Sequence, residues 1–232
     1  MIIGSGMIAR SFAQFDREDT VFFCSGVSNS SELKSEHFLR EMKLIKSLSE
    51  THQKLIYFSS YFVNFDQYLT KAYYKHKLHA EQTISSMFSS FTIYRLPQVV
   101  GQSANPKTLT NFIKDKISKN ELLSIYKGAQ RNLIDVSDVA QVIDYANTND
   151  LFINQVVNLV APQNYDVLEI VRVFESIMQV MAHTEYLDNI VEDAFPVLLS
   201  SEMRDAYKQL KLNFDDSYLE KMIEKYYGVI NQ

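Results

Sequence analysis

Apolar runs of strand length alternate with segments of helical spacing along most of the 232-residue chain. The first run, Met1 to Ile3, ends in Gly-Ser-Gly, after which Ile8, Phe12 and Phe15 fall on one face of a helix. VFFC at 21–24 is continuously apolar, as a strand covered on both faces would be. Phe38, Met42, Ile45 and Leu48 mark a second helical stripe, with Glu36, Arg40, Glu41 and Lys43 assigned to its wet side. LIYF at 55–58 predicts a strand stopped at Ser59-Ser60, and FTIYRL at 91–96 predicts another. Between them the spacing predicts a long helix over 69–87.

Beyond residue 100 the pattern predicts helices over 109–117, 137–146 and 167–178, and strands near 122–126 and 156–160. The last 50 or so residues read as helical, without a convincing strand. Tyr218, Met222 and Tyr226 form a stripe there that reads as core or subunit contact. Strand–helix alternation of this kind implies an α/β fold, and right-handed crossovers imply a Rossmann-like, doubly wound parallel sheet. We expect a dinucleotide-binding domain over 1–150 and a small, mainly helical substrate-binding part over 151–232. The boundary is approximate and the chain is expected to cross it.

Composition narrows the function. A formal net charge of −5 opposes non-specific binding to nucleic acid. The single cysteine, Cys24, lies in an apolar run and suits a reducing compartment. The opening MIIGSGMIAR does not read as a signal peptide, and no stretch approaches the length of a membrane span. The expectation is a cytoplasmic protein with neither nucleic acid nor membrane as partner. No Cys/His cluster is present, so no metal is expected; His76 and His79 read as exposed helix residues.

Gly4-Ser5-Gly6-Met7-Ile8-Ala9 has the pattern G-x-G-x-x-A between a strand and a helix. Such a turn lets a pyrophosphate approach the backbone over Gly6, near the N–H groups of Met7 and Ile8, while Ala9 lets helix and strand pack. The acidic residue that normally ends a second strand about 20 residues on is missing, because VFFC follows almost at once. Tyr73-x-x-x-Lys77 puts two side chains on one helical face, where an ammonium lowers a phenol's pKa. With 14 Tyr in the chain, about one such pair is expected by chance. A second, Tyr207-x-x-x-Lys211, reads as a solvated face. Tyr73 follows the strand-ending Ser59-Ser60, and strand ends at the carboxyl edge of a parallel sheet are where such folds keep their chemistry.

Together, KLIYFSSYFV, YYKHKLHAE, YRLPQVVG, RNLIDVSDVA and VVNLV resemble, in order, the extended short-chain dehydrogenase/reductase family, which includes NAD-dependent epimerases and dehydratases of nucleotide sugars. The resemblance is strongest over 21–171. It implies that Ser60 and Tyr73 are catalytic and that Lys77 binds the nicotinamide ribose and tunes Tyr73. Cys24, Ser25 and Gly26 would pass the cofactor, and Leu96 and Pro97 would line its nicotinamide. Ser60, Tyr61, Gln98 and Arg131 would meet the substrate, Arg131 gripping its diphosphate with a forked, permanently charged group. Glu81 and Asp138 read as structural. The implied cofactor is NAD or NADP, the implied substrate a nucleotide sugar, and a homodimer is compatible with the family.

Tyr61-Phe62 follow Ser60 where the dehydratases of this family carry an Asp-Glu pair, so epimerase or ketoreductase ranks above dehydratase. Bacterial surface polysaccharide synthesis is a setting suggested by resemblance alone. The alternative is a catalytically silent binding module or regulatory subunit of the same fold, motivated by the shortened adenosine half.

Overall fold

The computed structural model describes residues 1–188 and 195–228. Its strands in chain order are β1 (Ile2–Ile3), β2 (Thr20–Phe23), β3 (Lys54–Ser60), β4 (Phe91–Leu96), β5 (Gln98–Val100), β6 (Leu123–Tyr126), β7 (Gln130–Arg131), β8 (Leu133–Asp135), β9 (Gln155–Asn158), β10 (Tyr165–Asp166) and β11 (Thr184–Leu187). The helices are α1 (Met7–Ser11), α2 (Ser35–Ser47), α3 (Ala72–Met87), α4 (Leu109–Ser118), α5 (Val136–Thr148), α6 (Val167–Met178), α7 (Ser201–Gln209) and α8 (Tyr218–Tyr227). Most of these follow the sequence expectations; the short strands β5, β7, β8 and β10 are not among them, and two further differences stand out. The stretch ahead of α3 is a separate short turn of helix at Tyr68–Thr70. The C-terminal stretch contains β11, whose four residues are too few to carry a periodic signal and which exists by pairing in parallel with β6.

The chain forms two compact units, residues 1–97, 136–159 and 200–210 in the first, and 98–135, 160–199 and 211–232 in the second. Where the sequence suggested a boundary near residue 150, the chain passes between units after Pro97, Asp135, Leu159, Leu199 and Leu210.

Unit 1 is a parallel sheet in the order β1-β2-β3-β4-β9. Alternate residues serve its two faces. Val21, Phe23, Leu55, Tyr57, Phe91 and Ile93 pack with Met42 and Ile45 of α2 and Ala80 and Ile84 of α3. On the opposite face Phe12, just beyond α1, stacks on Phe22 at 4.6 Å and lies 5.6 Å from Phe58. Helix α5 packs beside α1. The expected parallel sheet with helices on both faces is therefore present, and the shortening leaves β1 at its edge.

The shortening has a topological result. The strands run across the sheet in sequence order, so this sheet has no reversal of strand order. The connections β1–α1–β2 and β2–α2–β3 step in the same direction but cross opposite faces, so they have opposite hands. Helices α2 and α3 share a face and hence a hand.

Unit 2 gathers Ile113 and Ile117 of α4, Ile170, Val171 and Phe174 of α6, and Leu219, Met222 and Ile223 of α8 around Leu123, Ile125 and Leu133. Among its described residues it carries three two-stranded sheets, β5 with β8, β7 with β10, and β6 with β11.

Phe12 is fully buried against two strands and holds the short connection to the sheet. Phe12→Ala is expected to cost about 3–5 kcal/mol. Urea denaturation followed by circular dichroism measures the loss.

Candidate active site

The carboxyl ends of four adjacent parallel strands carry the residues expected to do chemistry. Gly4 follows β1, Cys24 follows β2, Ser60 ends β3 and Leu96 ends β4. The pairing of Ser60 with Leu96 puts those two side by side. Gly4 has a backbone only glycine adopts freely, at φ +128°, and a Cβ there would stand 2.7 Å from the Cys24 carbonyl oxygen. That contact locks the glycine turn against the end of β2. Gly6 sits at the start of α1 with nothing within 4 Å of where a Cβ would be. Met7 and Ile8 open that helix, and the Arg10 guanidinium folds back to the Ser5 carbonyl at 3.1 Å.

Next to this turn, Arg40 of α2 donates to the Ser25 hydroxyl at 3.0 Å and to the Ser25 carbonyl at 2.8 Å. Burial pushes the Cys24 thiol up to about 12, so it remains a neutral thiol at physiological pH. Ser60 is 8% exposed, and Tyr61 and Val63 are buried in the turn behind it. Beneath Ser60, Ser59 donates to Glu81 at 2.5 Å, and Arg95 grips the same carboxylate with two N–H groups. Arg95 also reaches Asn64, whose amide donates to Asn158. This network ties α3 to β3, β4 and β9 and gives Glu81 its structural role.

Tyr73 and Lys77 lie in the first half of α3, and both are buried. Their relation differs from the one the spacing suggested. The Lys77 ammonium has three protons to donate, and it meets Glu41 at 3.1 Å, the Tyr57 hydroxyl at 3.1 Å and the Phe58 carbonyl at 3.3 Å. It lies 5.9 Å from the centre of the Tyr73 ring. The Tyr73 phenol is held well above its ordinary value, by burial first and then by Tyr74 and Glu41.

Glu41 is the group that sequence reading misplaced. Assigned to the wet side of α2, it is 0% exposed. One carboxylate oxygen accepts from Lys77 and from Tyr57 at 2.7 Å. The other accepts from the Val27 amide at 2.6 Å and lies 2.9 Å from His76 Nε2. Burial opposes its ionisation, but Lys77, His76, Val27 and Tyr57 together hold its carboxyl well below the usual range. His76 likewise departs from its expectation: it is buried and stacks on Phe38 at 4.6 Å. The signal was present in the chain, since Phe38, Glu41, Ile45 and Leu48 share one helical stripe. A carboxylate in an apolar stripe needs a buried cation, and α3 supplies one.

Three candidates remain. Pro97 is the last residue of that stretch of unit 1. Gln98 opens β5 in unit 2, and its buried side-chain carbonyl has no hydrogen-bond partner among the described residues. Arg131, also in unit 2, pairs across β7–β10 with Tyr165 and donates to the Gln130 carbonyl at 2.7 Å. The RNLIDVSDVA stretch has structural work. Asn132 exchanges hydrogen bonds with the Ala161 backbone, both at 2.9 Å. Asp135 accepts from Tyr226 at 2.6 Å and Lys225 at 2.9 Å, clasping α8. Asp138 lies in the first turn of α5. Tyr207, expected on a solvated face, is buried, and Lys211 lies beyond the end of α7. Among the described residues no group of three or more His, Cys, Asp or Glu could hold a metal ion, and no helix is long and apolar enough to cross a membrane.

No family model matches the chain, and no curated protein matches it. Solved structures do. The UDP-glucuronic acid 4-epimerase of Bacillus cereus, in complex with UDP-glucuronic acid and NAD, matches with a TM-score of 0.68 at 18% identity, over 89% of this chain and 73% of that one. An epimerase of Methanothermobacter thermautotrophicus gives 0.71 at 18% identity, over 93% and 72%. The UDP-glucose 4-epimerase of Thermus thermophilus, in complex with NAD, gives 0.69 at 15% identity, over 96% and 82%. The fold is that of the NAD-dependent nucleotide-sugar epimerases, an α/β fold built on a parallel sheet.

A Cβ on Gly26 would stand 2.8 Å from Lys77 Nζ and 2.9 Å from Glu41 Oε1, two atoms fixed in a buried ion pair. Gly26→Ala is therefore expected to cost about 1–3 kcal/mol. Gly6→Ala, whose Cβ meets nothing, should leave the melting temperature nearly unchanged. Parallel thermal melts of the two variants check the contrast.

Proposed function

We propose that the chain is a shortened member of the extended short-chain dehydrogenase/reductase family and acts as an NAD(P)-dependent epimerase or ketoreductase on a nucleotide sugar. One observation carries this reading. The glycine turn, the small residues 24–26 and Ser60 sit at the carboxyl ends of adjacent parallel strands, with Tyr73 and Lys77 on the helix that follows β3.

The residues present fit the pyrophosphate end of such a cofactor. Gly6 leaves open space where a Cβ would stand, and Gly4 keeps the turn close against Cys24. When bound, the nicotinamide exchanges a hydride with the sugar carbon. The protein's own part is proton transfer and orientation. Tyr73, its phenol kept protonated by burial, donates a proton to a ketone oxygen as that carbon is reduced, and takes the proton back in the reverse direction. Ser60 holds the same oxygen by a hydrogen bond. Met7, Ile8, Leu96 and Pro97 line the cofactor, and Gln98 and Arg131 bind the substrate diphosphate. A cytoplasmic setting and a homodimer belong to the same proposal.

Two observations favour a second reading, a binding module of the same fold without turnover. Strand β1 lies at the sheet edge, so no further strand flanks the adenosine side. The protons of Lys77 are already engaged by Glu41, Tyr57 and Phe58.

Calorimetric titration with NAD⁺, NADH, NADP⁺ and NADPH, on protein first freed of co-purified nucleotide, separates the two readings. The enzyme reading expects binding of at least one cofactor. It also expects Tyr73→Phe to lower turnover of a nucleotide sugar by at least about 100-fold while leaving that binding unchanged. Binding of none of the four by folded protein favours the module, and full activity in Tyr73→Phe removes Tyr73 from the chemistry.

A further inference from the structure

Glu41, the buried partner of Lys77, has no part in the roles assigned above. A buried ion pair is weak evidence for stability, because apolar residues of similar volume often do as well or better. Packing alone therefore gives little reason for a carboxylate and an ammonium under Gly26.

Their placement gives a reason. Lys77 Nζ lies 3.1 Å from Glu41 Oε1 and 5.9 Å from the centre of the Tyr73 ring. An unopposed ammonium at that range in a low-dielectric interior would strongly favour the phenolate. With a carboxylate held against it, the pull of that ammonium on the phenol is offset, and Glu41 itself favours the protonated phenol. The neighbouring titratable groups are Tyr57 from β3, Glu41 from α2, and Tyr74, His76 and Glu81 from α3. Lys77 is the cation whose side chain lies over the Tyr73 ring.

We propose that Glu41 is a positioning residue that holds the Lys77 ammonium beneath Gly26 and cancels its charge at Tyr73. The proton on Tyr73 is then governed from α2 as well as from its own helix. This inference rests on reading Tyr73 and Lys77 as the working pair. In that reading Glu41 keeps the phenol a proton donor, the state that reduction of a ketone calls for.

The test is ultraviolet titration of the Tyr73 phenol without cofactor or sugar, comparing each protein with its own Tyr73→Phe counterpart. In Glu41→Gln the Tyr73 step is expected about 1–3 pH units below its wild-type position. Adding Lys77→Met to Glu41→Gln removes both charges and should return the step toward wild type. A Tyr73 step unmoved by Glu41→Gln overturns the proposal, as does a shift that persists undiminished in the double variant. Should Glu41→Gln fail to fold, lysine-¹⁵N NMR of the wild-type chain decides, with the Lys77 signal assigned by its loss in the double variant. Slow exchange of that ammonium supports the clamp, whereas exchange as fast as that of surface lysines overturns it. Because neither measurement involves turnover, an inactive chain with a shifted phenol defeats the proposed function alone. An active chain with an unmoved phenol defeats only the role given to Glu41.

Discussion

The buried carboxylate of Glu41 is the constraint on which the rest of unit 1 depends. It lies on α2, and its partners come from the segment after β2, from β3 and from α3. Four parts of the chain must therefore reach their final positions before any of these polar groups is satisfied. Removing either charged end of the Glu41–Lys77 pair would leave the other charge buried without its counter-ion, which costs far more than the pair itself contributes. Gly26 belongs to the same assembly, since the space its side chain would fill is occupied by the two charged ends. Stability and local electrostatics share one set of atoms here.

The sheet shows how much of a Rossmann-type fold can be shortened before its character changes. The five strands keep parallel pairing and helices on both faces, and the solved epimerases match over most of the chain. What is lost is the reversal of strand order, the feature that opens a crevice at the carboxyl edge of such sheets. The short first connection stays in place because Phe12 packs into the face opposite α2 and α3. The carboxyl edge of this sheet carries the glycine turn and Ser60.

In unit 2 the start of the RNLIDVSDVA stretch does structural work. Within RNLIDVSDVA, Asn132 fastens the backbone at Ala161 and Asp135 fastens α8. These are buried or half-buried polar groups with their hydrogen bonds made inside the unit, as such groups need to be. Arg131, next to them, is the cation of the stretch. The stretch thus fixes the frame that carries Arg131.

The sequence by itself determined the order and type of most elements, because apolar periodicity and burial are coupled residue by residue. VFFC, LIYF and FTIYRL became buried strands of one parallel sheet, and the stretch 167–178 became α6 with the expected bounds. It also located Gly4, Ser60, Tyr73 and Lys77 relative to strand ends, since those positions depend only on local spacing. Tertiary structure alone decided the partners. A short strand such as β11 exists through a mate some 60 residues earlier, and Glu41 and His76 look like exposed helix residues until two helices close on them. Charges acquire their meaning from neighbours brought together by folding, and one-dimensional spacing records no such neighbours. The Tyr73–Lys77 spacing was legible in the sequence; the carboxylate that holds the lysine became visible only when α2 and α3 packed on the same face of the sheet.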